Sequence, residues 1–237
     1  MQRLPAIIAL NLAGVVLFFS WYLPPDHGFW FTIDSSIFLH FNRLMTQSHA
    51  FALFLAVTNY RAFDAIALLF MGAMYFYYYH RSGREERYRM LSIGIVMLLS
   101  AVVLNQLGHL LPVSHPSPTL FFENDPRVAR VSQFVDIPTK DASADSFPGD
   151  HGMMLMIFAV YMWRYFGRRA FIGGLAILMV FSLPRLMIGA HWFTDIAVGS
   201  LSVLLVGLSW WLLTDACDKL VNRINHLLPG ARINRFQ

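Results

Sequence analysis

Apolar residues fall in long runs along this chain, separated by short polar or basic stretches. The first run, residues 5–23, follows Arg3 and is long enough to cross ~30 Å of hydrocarbon at about 1.5 Å of helix per residue. A cleaved secretory leader would end in small residues, but Tyr22, Leu23, Pro24 and Pro25 come next, so the run reads as a retained anchor. Residues 26–59 mix Phe, His and Leu around Asp34 and Arg43 in stretches too short to span, which predicts an interfacial amphipathic segment. Further spans are predicted over 62–79, ending in the aromatic cluster 75–79, and over 90–111, where Asn105, Gln106 and His109 mark emergence into polar surroundings. A long polar segment, 112–150, is rich in Pro, Ser and Asp, and loops of that length are usually functional or disordered. Three more spans follow: 151 to about 166, 170 to about 183, and about 192 to 214. No internal repeat interrupts the pattern, so residues 1–237 form one domain, with outer loops near 24–61 and 112–150 and a basic tail from about 215. The expected fold is an all-α membrane protein of six transmembrane helices with an interfacial segment between helices 1 and 2.

Composition agrees: 57% of the 237 residues are apolar, 15% aromatic and only 14% charged, whereas a soluble domain keeps roughly a quarter charged. A single cysteine, Cys217, excludes a disulfide framework and a thiolate metal cluster. The net charge of +4 comes from short basic runs between apolar segments and carries no nucleic-acid-binding signature. Those runs set orientation instead. Residues 80–89 hold four arginines, 164–169 hold three, and Lys219, Arg223, Arg232 and Arg235 follow in the tail. Six spans place all of them, and the N-terminus, on one side, which the bias of basic residues makes cytoplasmic.

The same parity gathers the ionisable residues of the other side. His151 opens the fourth predicted span, Arg185 lies just past the fifth, and His191 with Asp195 opens the sixth. Such residues at membrane level are costly and point to function. On one helix face, Asp195 accepts one imidazole N–H of His191 and leaves the other ring nitrogen as a nucleophile. Arg185 presents a planar cationic fork suited to phosphoryl oxygens, and His151 suits general-acid protonation of a leaving oxygen. Pro148, Gly149 and Asp150 make a turn and cap whose backbone N–H groups can face an anion. A metal site is a poorer match, because the donors lack zinc-type spacing and Arg185 repels a cation. His27, His40, His49, His109 and His115 read as interfacial side chains, and Met153, Met154 and Met156 as packing or lipid-facing surface.

The stretch Phe147-Pro148-Gly149-Asp150-His151, with Arg185, five residues, His191, three residues and Asp195, resembles the second and third motifs of the type 2 phosphatidic acid phosphatase (PAP2) superfamily. The wider context, from Pro138-Thr139-Lys140 through Gly152 and from Gly189 to Asp195, resembles its lipid A phosphotransferase branch from Gram-negative inner membranes. That resemblance implies a six-helix core, no metal or other cofactor, His191 as nucleophile and His151 as general acid. It further implies transfer of phosphate from undecaprenyl pyrophosphate to the 1-phosphate of Kdo2-lipid A at the periplasmic face. Membrane lipids would surround the enzyme, with room for a small regulatory membrane partner. Hydrolysis of undecaprenyl pyrophosphate by water is the alternative from the same fold, and a non-catalytic transporter or scaffold the alternative from another class. The sequence departs from the superfamily's pattern at several places. The first motif, a lysine and seven residues later an arginine before proline, aligns near Gly108 and His115-Pro116, where neither base is present. Gly149-Asp150 stand for Ser-Gly, and Pro184 stands for Ser. Lys140 and Arg130 are the candidates to replace the lost phosphate donors, with Gly149 and Asp150 also at the substrate.

Overall fold

The computed structural model describes residues 3–228; Arg232 and Arg235 of the predicted basic tail lie outside the described residues. Most of the described residues are helical, and they contain no strand. In chain order the helices are α1 (Leu4–Tyr22), α2 (Phe29–Gln47), α3 (His49–Thr58), α4 (Ala62–Arg81), α5 (Arg84–His109), the single turn α6 (Pro118–Phe121), α7 (Asp150–Phe166), α8 (Arg168–Ile188), α9 (Leu201–Leu213) and α10 (Ala216–Leu227). A π-helical turn, Asp195–Ser200, runs directly into α9. Five segments are long and apolar enough to cross a membrane: α1, α4, α5, α8 and Asp195–Leu213. Their outward positions carry residues such as Val16, Leu69, Leu98, Val102 and Val180, exposed here and suited to lipid. This is a membrane protein.

Helix α7 is the centre of the bundle. Met153, Ile157 and Tyr161 pack with Val96 and Leu104 of α5, Leu208 of α9 and Val221 of α10. Leu155, Phe158 and Met162 face the other way, onto Met71 of α4 and Phe181 of α8. Helices α7 and α8 approach so closely that a Cβ added at Gly174 would lie 2.8 Å from the Ala159 Cα. Backbone cannot yield there as a flexible side chain can. Gly174→Leu is therefore expected to destabilise the bundle by roughly 1–3 kcal/mol, read as a lower melting temperature in detergent; an unchanged one would contradict this packing.

The helix ends meet at two levels. At one level, Asp64 at the start of α4 meets Arg185 at the end of α8, and His109 at the end of α5 meets Asp150 at the start of α7. At the other, Arg164 near the end of α7 pairs with Asp218 of α10, and the Tyr75 hydroxyl donates to the Met90 carbonyl. Several boundaries differ from those read in the sequence. Most of the predicted basic loop 80–89 is helix, because Arg and Glu sustain a helix beyond its apolar run. The tail carries α10, whose Cys217 and Val221 are buried while its charges face out. Helix α8 does not stop before Pro184 but continues to Ile188, so Arg185 lies in its last turn. There the surrounding structure supports the proline: Pro184 is buried and its carbonyl accepts from the Asn59 side chain at 3.0 Å.

Residues 26–59 form two helices. Asp34, Phe38, Asn42 and Met45 make a buried stripe on α2. Asn42 brackets the Ala129 backbone, accepting its N–H and donating to its carbonyl, and so ties α2 to the outer loop. The Asp34 carboxylate accepts the Thr194 N–H at 3.0 Å and the Thr194 hydroxyl at 2.5 Å, just ahead of the π-turn. Burial pushes the Asp34 carboxyl up to about 6 from its ordinary 3.8, although the Thr194 bonds favour the ionised form. The folded protein thus holds this proton more tightly than the unfolded chain does. The resulting stabilisation is full below about pH 3.8 and is lost as pH rises through about 6. Asp34→Asn, which keeps an acceptor for the Thr194 N–H, is expected to flatten the fall in melting temperature across that window. Equal slopes in wild type and variant would contradict it.

Candidate active site

Local backbone brings the predicted residues together. Helix α8 ends at Gly189, whose φ of 84° suits a residue without Cβ and whose added Cβ would meet Phe38 at 2.4 Å. The chain then folds back, and the Arg185 carbonyl accepts from the N–H groups of both Ala190 (3.1 Å) and His191 (3.3 Å). One turn thereby fixes the distance between the guanidinium and the imidazole. Thr119, in the loop between α5 and α7, holds this turn by donating its backbone N–H to the Gly189 carbonyl at 3.3 Å.

His191 and Asp195 do not share a helix face as their spacing predicts, since His191 precedes the helix. They meet because the fully buried Asp195 carboxylate turns back: its Oδ2 accepts the Trp192 N–H at 2.9 Å and faces His191 Nδ1 at 3.2 Å. The Ser146 carbonyl lies 3.0 Å from the same Nδ1. Two acceptors converge on one ring nitrogen, so Nδ1 carries the proton and Nε2 keeps its lone pair. Asp195 opens the π-turn, a feature often found at functional sites. Its carbonyl accepts from the Gly149 N–H (3.0 Å) and the Ser200 hydroxyl (3.1 Å), which ties the turn to the start of α7.

His151, in the first turn of α7, places Nδ1 3.8 Å from Asp64 Oδ1. Arg185 donates from Nη2 to the same oxygen at 2.5 Å. The Arg185 side chain is only 6% exposed, and its Nη1 is buried without a hydrogen-bond partner. A buried cationic donor left unpaired is costly unless an anion completes it. Arg185, His191 and Lys140 are all near enough for their charges to act on His151.

The other candidates divide. Lys140 is exposed beside this group, whereas Arg130 is paired with the buried Asp141. Gly149 gives its N–H to Asp195, so that group is not available to an anion, and Asp150 makes no side-chain cap but meets His109 Nε2 at 3.0 Å. The structure adds three residues to these. Asp64 is a lone acid opening an apolar run at the same end of the bundle. His115, read as interfacial, is buried against Asp195. Ser146 acts through its carbonyl, for which no side-chain signal exists.

The arrangement suits nucleophilic attack by His191 Nε2 on an anionic centre held by Arg185, with His151 as proton donor. Residues 89–218 match the model of the PAP2 superfamily. Over 230 residues the chain is 53% identical to the lipid A 1-diphosphate synthase of Escherichia coli (strain K12), covering 97% of this chain and 96% of that protein. No solved structure matches.

Proposed function

Because the chain belongs to the PAP2 superfamily, we propose that it transfers a phosphoryl group from undecaprenyl pyrophosphate to the 1-phosphate of Kdo2-lipid A, as a lipid A 1-diphosphate synthase. The observation that carries the reading is the convergence of two acceptors, Asp195 Oδ2 and the Ser146 carbonyl, on His191 Nδ1. It leaves Nε2 as the attacking atom. Nε2 forms a bond to the terminal phosphorus while the bridging P–O bond breaks, and His151 protonates the departing undecaprenyl phosphate. An oxygen of the lipid A 1-phosphate then attacks the phosphohistidine, which forms the P–O–P link and frees His191. Arg185, oriented by Asp64 through Nη2, offers Nη1 to the transferring group. Lys140 supplies a further point charge. The fixed charge of Arg185 disfavours a metal ion in the same place, so the reaction is metal-independent.

The site belongs at the outer, periplasmic level of the inner membrane. Helix α7, 17 residues long and central to the bundle, is the sixth span, just long enough to cross when its polar ends reach the interfaces. With α1, α4, α5, α8 and Asp195–Leu213, it leaves Arg81, Arg84, Arg164 and Arg168 at the cytoplasmic level with both termini. Helices α2 and α3 lie at the outer interface over the site. There both lipid substrates present anionic heads while their tails stay in the bilayer.

Purified enzyme in vesicles, given donor labelled in its terminal phosphate and Kdo2-lipid A, is expected to move label into lipid A equally well with and without chelator. Release of free phosphate at the same rate whether or not lipid A is present would make the enzyme a hydrolase, and loss of transfer on chelation would contradict the metal-free reaction.

A further inference from the structure

The contacts around His191 close through a residue that the mechanism above does not use. His115 lies in the outer loop with its side chain 10% exposed. Its Nδ1 faces Asp195 Oδ1 at 3.6 Å, and both atoms are buried without a hydrogen-bond partner. The other carboxylate oxygen already serves His191 and the Trp192 N–H. The His115 backbone joins the same circuit. Its carbonyl accepts from the Ser146 N–H (2.7 Å) and hydroxyl (3.0 Å), while the Ser146 carbonyl shares the His191 Nδ1–H with Asp195 Oδ2. From His191 the path therefore runs through Asp195, His115 and Ser146 and returns to His191.

Aromatic rings hold the His115 imidazole in place. Trp192 stacks at 5.4 Å between centroids, and Trp21 and His27 meet it edge-on at 5.3 and 5.0 Å. Trp192 is anchored in turn by its indole N–H, which donates to the Pro116 carbonyl at 2.7 Å. A phenyl ring would fill this box as well and would leave no nitrogen dry, and an unpaired buried polar group is destabilising. Packing alone thus gives no reason for a histidine. The carboxylate oxygen opposite does.

We propose that His115 is a positioning residue for the phosphoryl transfer: Nδ1–H donates to Asp195 Oδ1 and fixes the carboxylate plane, so that Oδ2 holds His191 with Nε2 toward phosphorus. At 3.6 Å the two atoms face each other without a hydrogen bond in the resting site. The bond forms when substrate closes the site, in the way catalytic hydrogen bonds tighten only in the reacting complex. His115 stands where the superfamily's first motif carries arginine, and its partner here is a carboxylate. The inference rests on His191 being the nucleophile and is independent of the acceptor.

The test uses the full-length enzyme in vesicles with donor labelled in its terminal phosphate and no lipid A, read by rapid quench, together with steady-state transfer when lipid A is added. His115→Phe keeps the stacked ring and removes the donor; His115→Asn puts an amide N–H where Nδ1 stands. The phenylalanine variant is expected to form phosphoenzyme at least about tenfold more slowly, with kcat falling in step, KM for donor within about twofold of wild type and an unchanged melting temperature. The asparagine variant is expected to recover most of the rate. Phosphoenzyme formation by the phenylalanine variant within about twofold of wild type would overturn the proposal, as would an asparagine variant no better than phenylalanine. A raised KM with kcat kept would also overturn it, by placing the ring on the donor. A wild type that transfers phosphate without a phosphoenzyme would overturn the nucleophile and this inference together, whereas normal phosphoenzyme without transfer to lipid A would count only against the acceptor.

Discussion

His191→Ala is expected to lower phosphoryl transfer by at least about 10³-fold. The imidazole provides the attacking Nε2, because the Asp195 carboxylate and the Ser146 carbonyl both face its Nδ1. Removing it also leaves the Asp195 charge buried with its Trp192 N–H as the remaining close donor. The turn that carries residue 191 is held by backbone bonds to the Arg185 carbonyl, which the substitution does not touch. The variant should therefore fold, reach the membrane and melt close to wild type while being inactive. Label transfer to Kdo2-lipid A at saturating substrate checks it; retention of more than about a tenth of the wild-type rate would remove His191 from the chemistry.

Arg185→Lys is expected to cost about 10²–10³-fold in kcat, despite preserving the charge. The guanidinium has two distinct nitrogens: Nη2 is bound to Asp64 at 2.5 Å and Nη1 is buried and unpaired. A lysine ammonium reaches one of those positions. If it stays with Asp64, the phosphoryl oxygens lose their fork. If it follows the phosphate, Asp64 is released and with it the carboxylate that faces His151 Nδ1. The carbonyl of residue 185 still anchors Ala190 and His191, so the defect should appear in kcat with little change in melting temperature. Activity within about threefold of wild type would show that a point charge suffices.

Helix parity was enough to put His151, Arg185, His191 and Asp195 at one level, because every intervening run either spans or does not. What parity misses is the geometry of ends. Arg185 was expected beyond α8 since proline ordinarily stops a helix, yet Asn59 and the packing around Phe181 and Leu186 carry α8 through it. His191 and Asp195 were expected on a helix, where four-residue spacing implies contact; the contact exists, but a turn before the π-helical segment makes it. Asp64 is a lone carboxylate at one end of an apolar run, a signal legible in the sequence. His115 could not be told from the other scattered histidines. Only the path of the outer loop, held by Ser117, Thr119 and Asn42, brings it to Asp195. Arg130 shows the converse: a basic residue suited to phosphate by type is engaged by Asp141, which lies too near in sequence to suggest a long-range pair.

The central claim is that phosphate rests on His191 between donor and acceptor. Wild-type enzyme should be incubated with donor labelled in its terminal phosphate, without lipid A, and quenched in alkali, which preserves phosphohistidine; the labelled peptide is then identified. The account predicts one acid-labile, alkali-stable label on the peptide containing His191, discharged into lipid A when Kdo2-lipid A is added before the quench. Label on another residue, or wild-type turnover with no labelled peptide at any time point, would contradict it.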